Sequence, residues 1–291
     1  MKEGTVRNIV IHIIIVLLGL LCLLPLLNIL TISFSSSAAV DGNQVGLLPV
    51  DFTTAAYSKI LEDAQFWRSF LISVERVALA LVLNFVLIVL MAYPLSKSSD
   101  QFRGRNIYSN LMIFAMLFSG GMIPAFLVVK GLGLLNTVWA LVLPGAVPIF
   151  NVILVMNFFA SAPRELEEAA FIDGANPLQV LLQVYIPISK PVLATVSLFS
   201  IVGSWNDFYS GLLYMPKPTE YPLMTYIQSL QINIEDLIKQ GNISSVVGSA
   251  SVGNTNLNAA KIVVAVIPLL IIYPFMQKYF VSGITVGAVK G

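Results

Sequence analysis

Apolar and polar positions alternate along this chain in long blocks. Six apolar runs lie between polar clusters: roughly Ile9 to Phe34, Ser69 to Leu95, Ile107 to Val129, Leu134 to Phe159, Pro191 to Tyr214 and Ile262 to Val281. A helix crosses the hydrocarbon core of a bilayer in about 20 mainly apolar residues, so the pattern predicts an all-α polytopic membrane protein with six transmembrane helices. Lys2 and Arg7 precede the first run and the small residues Ser35, Ser36, Ser37, Ala38 and Ala39 follow it, as in a secretory leader. A leader core holds only about 7 to 15 apolar residues, and this run is longer, so it is expected to remain as a span.

An even number of spans puts both ends on one side. With the ends inside, the inner segments hold Lys2, Arg7, Lys97, Arg103, Arg105, Arg164, Lys190, Lys278 and Lys290, against Lys59, Arg68, Lys130, Lys217 and Lys239 outside. In the short segment from Ser96 to Asn106, Lys97, Arg103 and Arg105 face a single Asp100. Basic residues mark the cytoplasmic side most clearly in short loops, so both termini are expected in the cytoplasm. Three connections are long: 35–68 outside, 161–190 inside and 215–261 outside. Loops of that length are usually functional. In the last, Leu223 to Ile238 reads as an amphipathic surface helix, and Gly241 to Asn258 as an irregular loop rich in Gly, Ser and Asn.

Composition narrows the function. The chain is 57% hydrophobic and 11% charged, whereas a soluble domain carries about 25% charged residues. A net charge of +1, from 16 basic and 15 acidic residues, leaves no surplus for holding nucleic acid phosphates. One cysteine, Cys22, and one histidine, His12, cannot form an internal disulfide or a His/Cys metal cluster. Both read as packing residues. There is no Gly-Lys pair for a phosphate-binding loop, no H-E-x-x-H and no G-x-S-x-G. No catalytic residue, metal site or bound cofactor is expected.

The inner loop 161–190, SAPRELEEAAFIDGANPLQVLLQVYIPISK, is the most informative stretch. Pro163 suits a first helical turn, with Glu165, Glu167 and Glu168 near the positive end of the helix dipole. Gly174 supplies a left-handed stop. Asn176, Pro177 and Gln179 then form an N-cap, a first-turn proline and a capping-box partner, so a second helix begins at once. It presents Leu178, Leu181, Leu182 and Tyr185 until Pro187 and Pro191 end it. A bent knob of this kind suits the transfer of force to a soluble partner.

Glu168-Ala169-Ala170, Asp173-Gly174-Ala175, Ile186-Pro187 and Lys190-Pro191 resemble the EAA loop of binding-protein-dependent ABC importer permeases. The resemblance extends through Leu135-Asn136-Thr137, Ala140-Leu141, Leu143-Pro144, Phe158-Phe159, Trp205-Asn206-Asp207-Phe208 and Gly283-Ile284-Thr285 to Val289-Lys290-Gly291. It covers the whole chain and points to the MalG-like, maltose-type branch that imports carbohydrates. The resemblance implies a single permease domain, 1–291, of the type I ABC importer fold, in the bacterial cytoplasmic membrane. Its EAA residues Glu168, Ala169, Ala170, Asp173, Gly174, Ala175 and Pro187 would couple it to a cytoplasmic ATPase, Glu168 by pairing with a basic residue and Gly174 by allowing the bend. The implied partners are a second, different permease, two ATPase subunits that use ATP and Mg, an extracytoplasmic binding protein, membrane lipid and a carbohydrate, expected to be an oligosaccharide.

Asp207, beside Asn206 in the fifth run, lies about 24 Å outward from Pro191 at 1.5 Å per residue. An intramembrane carboxylate is a functional candidate, and with Trp205, Phe208 and Tyr209 it reads as an outer gate or sugar contact, or else as a packing carboxylate paired with a neighbour. Thr137, Leu141, Pro144, Pro148 and Asn151 recur along the fourth run and read as a cavity-facing stripe on a kinked helix or as ordinary packing. Ser119-Gly120-Gly121 marks close packing or a hinge. Glu75 and Arg76 are expected to snorkel or pair at the outer interface. Competing functions are import of an amino acid, phosphate or metal by the same machine type, an ion-coupled carrier, and an intramembrane enzyme. The last two need more buried carboxylates or a catalytic cluster than these runs contain.

Overall fold

The computed structural model of the chain describes the backbone of residues 2–230 and 255–288 and the side chains of residues 8–230, 255–274 and 277. Every regular element among them is helical. Three stretches are long and apolar enough to cross a membrane unaided: Asn8–Ser33, Ala64–Leu95 and Thr255–Pro274. Three bent pairs of helices bring the number to as many as six: Arg105–Leu117 with Met122–Gly131, Val138–Gly145 with Ile149–Ala160, and Pro177–Ile188 with Lys190–Asn206.

Each break has a local cause. The first pair bends by 113° where Phe118 turns extended and Gly121 takes a φ of +86°. A Cβ on Gly121 would meet nothing within 4 Å, so this glycine supplies backbone freedom and not close packing. The second pair bends by only 46°, at a 3₁₀ turn, Leu143–Gly145, that contains Pro144 and is followed by the extended Pro148. Prolines cannot donate to the preceding turn, so the ladder of hydrogen bonds is interrupted there. The third bends by 85° at Ser189, between Pro187 and Pro191. The fifth apolar run is also not one helix: Lys190–Asn206 ends at Asp207, whose ψ is 99°, and Tyr209–Tyr214 follows. The Asp207 carboxylate accepts the Ser210 amide at 3.1 Å, a local side-chain bond that competes with helix continuation.

The chain forms two compact units. One comprises Met1–Trp67 and Tyr226–Pro268. In it, side chains from Asn8 to Leu27 are exposed along the first helix, Cys22 and His12 included, so these two do not pack within the chain. Farther along, Phe34 stacks between Phe52 and Tyr57. Asp63 accepts bonds from Lys261 Nζ at 2.7 Å, Tyr226 Oη at 3.0 Å and the Phe66 amide at 3.0 Å.

The other unit comprises Arg68–Thr225 and Leu269–Gly291. Its core joins Ile88, Ala92 and Leu95 to Val152, Val155 and Phe159, and these to Val180, Leu181, Tyr185, Leu193 and Val196. Their spacing of three and four residues is that of one face of each helix. Residues 223–230 are helical, yet Leu223 and Thr225 are fully buried. Thr225 Oγ1 donates to Phe208 O at 2.8 Å, and a Cβ on Gly211 would lie 2.0 Å from Thr225 Oγ1. The expected surface helix is therefore a packed one in this part, because the small Gly211 lets it approach. Residues 231–254, with most of the Gly/Ser/Asn-rich stretch, lie outside the described residues, as do the side chains of the C-terminal motif.

Candidate functional site

The loop 161–190 folds as two capped helices. Arg164–Ile172 starts one residue after Pro163, which stands at the N-cap instead of inside the first turn. At its end the Gly174 amide donates to Phe171 O and the Ala175 amide to Ala170 O, both at 3.0 Å, with Gly174 at a φ of +85°. This is the Schellman arrangement, which satisfies the last carbonyls of a helix. The next helix starts at Pro177 behind a complete capping box: Asn176 Oδ1 accepts the Gln179 amide at 2.9 Å, and Gln179 Oε1 accepts the Asn176 amide at 2.8 Å. Because both helix ends are satisfied across three residues, hydrogen bonds within the loop itself fix the bend between them.

The two faces of the first helix differ. Glu168 and, one turn later, Ile172 are exposed, Ile172 at 86%. Ala169, Asp173, Gly174 and Pro187 are exposed too, while Ala170 and Ala175 pack partly against the core. Glu167 points inward. Lys97 Nζ donates to its Oε1 at 2.7 Å and Tyr185 Oη to its Oε2 at 2.8 Å. Lys97 also donates to Tyr185 Oη at 3.0 Å and sits 4.1 and 4.2 Å from the Tyr93 and Tyr185 ring centroids. Burial pulls the Lys97 ammonium below its ordinary pKa, and the Glu167 carboxylate offsets this only in part.

This node is not evident from the sequence alone, where Glu167 is one acid of three and Lys97 a marker of the inner side. Its faint signal is that Glu167 and Ala170, three residues apart, share a face that Glu168 and Ile172 do not.

A second polar feature lies between the Ala64–Leu95, Ile149–Ala160 and Lys190–Asn206 helices. Arg76, 4% exposed, commits Nη1 to Asp207 O at 2.9 Å and Nη2 to the Asp207 carboxylate. Arg76 is thus a buried partner and not a snorkelling one, while Glu75 is exposed. The pair borders a cavity of about 240 Å³ that Leu141, Pro144, Pro148 and Asn151 also line. Thr137 does not join them. It stands at the N-cap of Val138–Val142 and donates to Leu134 O at 2.6 Å.

Asn206 is exposed, Trp205 is buried edge-on against Phe70 at 5.7 Å, and Tyr209 Oη contacts Met122 Sδ. Of the residues expected at the path, the fold therefore brings Asn151 and Asp207 to one cavity and leaves Trp205, Asn206 and Tyr209 off its wall. Among the described residues no group of three or more His, Cys, Asp or Glu is placed to hold a metal.

Residues 75–286 match the binding-protein-dependent transport system inner membrane component family. The chain belongs to this family. It is 41% identical to Protein LplC of Bacillus subtilis, over 94% of this chain and 91% of that one. It is 39% identical to the polygalacturonan/rhamnogalacturonan transport system permease protein YtcP of the same species, over 95% and 96%. A chain from the crystal structure of a bacterial ABC transporter involved in the import of the acidic polysaccharide alginate shares the fold, with a TM-score of 0.84 and 35% identity over 96% of this chain and 98% of that one. The protein is thus a multi-pass membrane permease and not an enzyme. Permeases of this kind work with a partner permease, a solute-binding protein and a separate subunit that hydrolyses ATP.

Proposed function

We propose that the chain is one of two different permease subunits of a bacterial ABC importer for a carbohydrate, with an oligosaccharide as its cargo. It sits in the cytoplasmic membrane as one permease domain with six spans and both termini inside. The observation that carries the coupling role is the doubly capped bend at Gly174, which presents Glu168 and Ile172 outward together. An exposed acid beside an exposed isoleucine suits a groove with a basic residue and an apolar floor on an ATPase. Two ATPase subunits use ATP and Mg, and this chain binds no cofactor. The cargo class follows from relatives whose names specify polygalacturonan, rhamnogalacturonan and alginate.

Outside, the segment 215–261 receives the binding protein. ATP drives transport only so far as nucleotide and loaded binding protein favour different states of the permease. The test is uptake into proteoliposomes holding this chain, its partner permease, the ATPase and the binding protein. ATP-dependent entry of pectin-derived, alginate-derived or neutral oligosaccharides is the expected result, with none from this chain and the ATPase alone. Entry of an amino acid, phosphate or metal ion and of no oligosaccharide would overturn the reading.

A further inference from the structure

Two polar groups on the wall of the membrane cavity are left without a partner among the described residues, and a third is buried behind it. Arg76 Nε is fully buried and makes no hydrogen bond among the described residues, so it offers nothing to an occupant of the cavity. The Asn151 amide, on a residue only 5% exposed, and the Ser204 hydroxyl have no hydrogen bond among the described residues, and both border the cavity. Asn84 is different: with its amide oriented to satisfy its neighbours, it donates to Ala146 O at 3.0 Å and accepts from Ser200 Oγ at 3.2 Å. It rivets the proline turn to the fifth-run helix and is not free to bind. Phe199, 45% exposed, adds an aromatic surface to the same cavity.

A cavity within an apolar bundle that keeps an amide and a hydroxyl unpaired is costly unless something polar enters it. One water needs only about 10–15 Å³ of such space. The cavity is some twentyfold larger, at about 240 Å³, yet below the size of sites for long ligands. An amide and a hydroxyl are complementary to alcohol groups, which both donate and accept. The charge is already spoken for: both terminal nitrogens of Arg76 are held by Asp207, so an incoming carboxylate would have to displace one that is already in place.

We propose that this cavity is a charge-neutral subsite for the hydroxyl groups of a single sugar ring, in which Asp207 keeps Arg76 from acting as a carboxylate receptor. This subunit then touches the cargo directly and contributes to its selection by hydroxyl pattern. Any uronate charge on the cargo is read elsewhere in the importer. The inference rests on the carbohydrate-importer reading and extends it to one wall of the path.

Cys22 is the single cysteine and is exposed on the first helix, so Cys22→Ala gives a background without thiols. Ser204→Cys or Asn151→Cys is then introduced into the full chain, co-expressed with its partner subunits. Reaction rates are compared for four methanethiosulfonates: glucosyl, benzyl, sulfonatoethyl and trimethylammonioethyl. The glucosyl reagent should react about tenfold faster than the benzyl one, and Asn151→Leu should abolish that preference at Ser204→Cys.

The anionic and cationic reagents should react within about threefold of each other, and Asp207→Asn should favour the anionic one by about tenfold. Should Asp207→Asn fail to assemble, Asn151→Asp in the Ser204→Cys chain should disfavour it by a similar factor. No reaction at either cysteine, a benzyl preference, or an anionic preference before any change at Asp207 would overturn the subsite. Normal oligosaccharide uptake alongside such results would leave the importer reading standing, so the two failures are distinguishable.

Discussion

Two buried ion pairs in the same unit solve the same problem in opposite ways. At the loop 161–190, Lys97–Glu167 has 11% exposure on each side chain. Every polar atom there has a partner: Glu167 Oε1 has Lys97, Oε2 has Tyr185 Oη, and Lys97 also has Tyr185 Oη and two aromatic faces. At the membrane cavity, Arg76–Asp207 joins a 4% exposed guanidinium to a carboxylate that is 29% exposed, and one nitrogen is left unbonded. A fully satisfied polar network in low dielectric rigidifies its surroundings, whereas an incompletely satisfied one is open to a ligand or a rearrangement. The first holds the loop 161–190 still, and on the readings proposed above the second faces something that comes and goes.

The largest expected effect tests the closed pair. Glu167→Ala leaves Lys97 buried with no counter-charge and should destabilise the chain by about 3–5 kcal/mol. Lys97→Met combined with Glu167→Leu should recover most of that loss, since both charges are then gone. Thermal unfolding of the purified importer measures both. A Glu167→Ala chain as stable as the parent would erase the contrast between the two pairs.

Glu168→Ala sharpens the contrast within one helix. Its side chain is exposed, so chain stability should change by less than about 0.5 kcal/mol. Association with the ATPase should nonetheless fall by at least about tenfold, because a basic residue at a closed interface loses its partner. Co-purification at equal permease levels reads this directly. Unchanged association together with unchanged transport would remove the coupling role from the exposed face.

Local and distant signals account for what could be read in advance. The apolar runs, the stop at Gly174 and the box at Asn176 and Gln179 are written in neighbouring residues; the structure has the stop and the cap, and it has three of the runs as long helices and the others as bent or broken ones. Gly120-Gly121 and Pro144 with Pro148 announce interruptions, but not that one bends by 113° and the other by 46°. The partners of Glu167 and Asp207 are not readable locally, because Lys97 lies 70 residues from the first and Arg76 lies 131 from the second. Only the folded arrangement of helices joins them, and so a buried Glu167 resembles its exposed neighbour Glu168 in the sequence.

Gly174→Ala is the next smaller effect. No atom lies within 4 Å of the Cβ it would add, so its cost is backbone strain alone, about 1–2 kcal/mol for a side chain at positive φ. Gly174→Asn should cost less, since asparagine visits this region more readily. If the bend is what positions Glu168, ATPase association should follow the order glycine, asparagine, alanine. Equal association in all three would mean that the exposed face docks without the bend.

The smallest effect concerns a third pair, in the other unit, and depends on pH. Burial is the largest single influence on Asp63 and pushes its pKa up. Hydrogen bonds from Lys261, the Phe66 amide and Tyr226, with the Lys261 charge, together outweigh it and hold the carboxyl below its ordinary 3.8. A carboxylate with a lowered folded pKa leaves the unfolded chain binding more protons, so its contribution is complete above 3.8 and is lost as pH falls through the lower folded value. At 21% exposure the Asp63 side chain is more open than Glu167, so the loss should be smaller than that of Glu167→Ala. Unfolding midpoints of the parent chain and Asp63→Asn, compared between pH 6 and pH 3, separate this carboxyl from the other acids. The gap between the two chains should narrow toward pH 3. A constant gap would mean that Asp63 is held by its shape and hydrogen bonds and not by its charge, leaving Lys97–Glu167 and Arg76–Asp207 as the pairs in which charge decides the outcome.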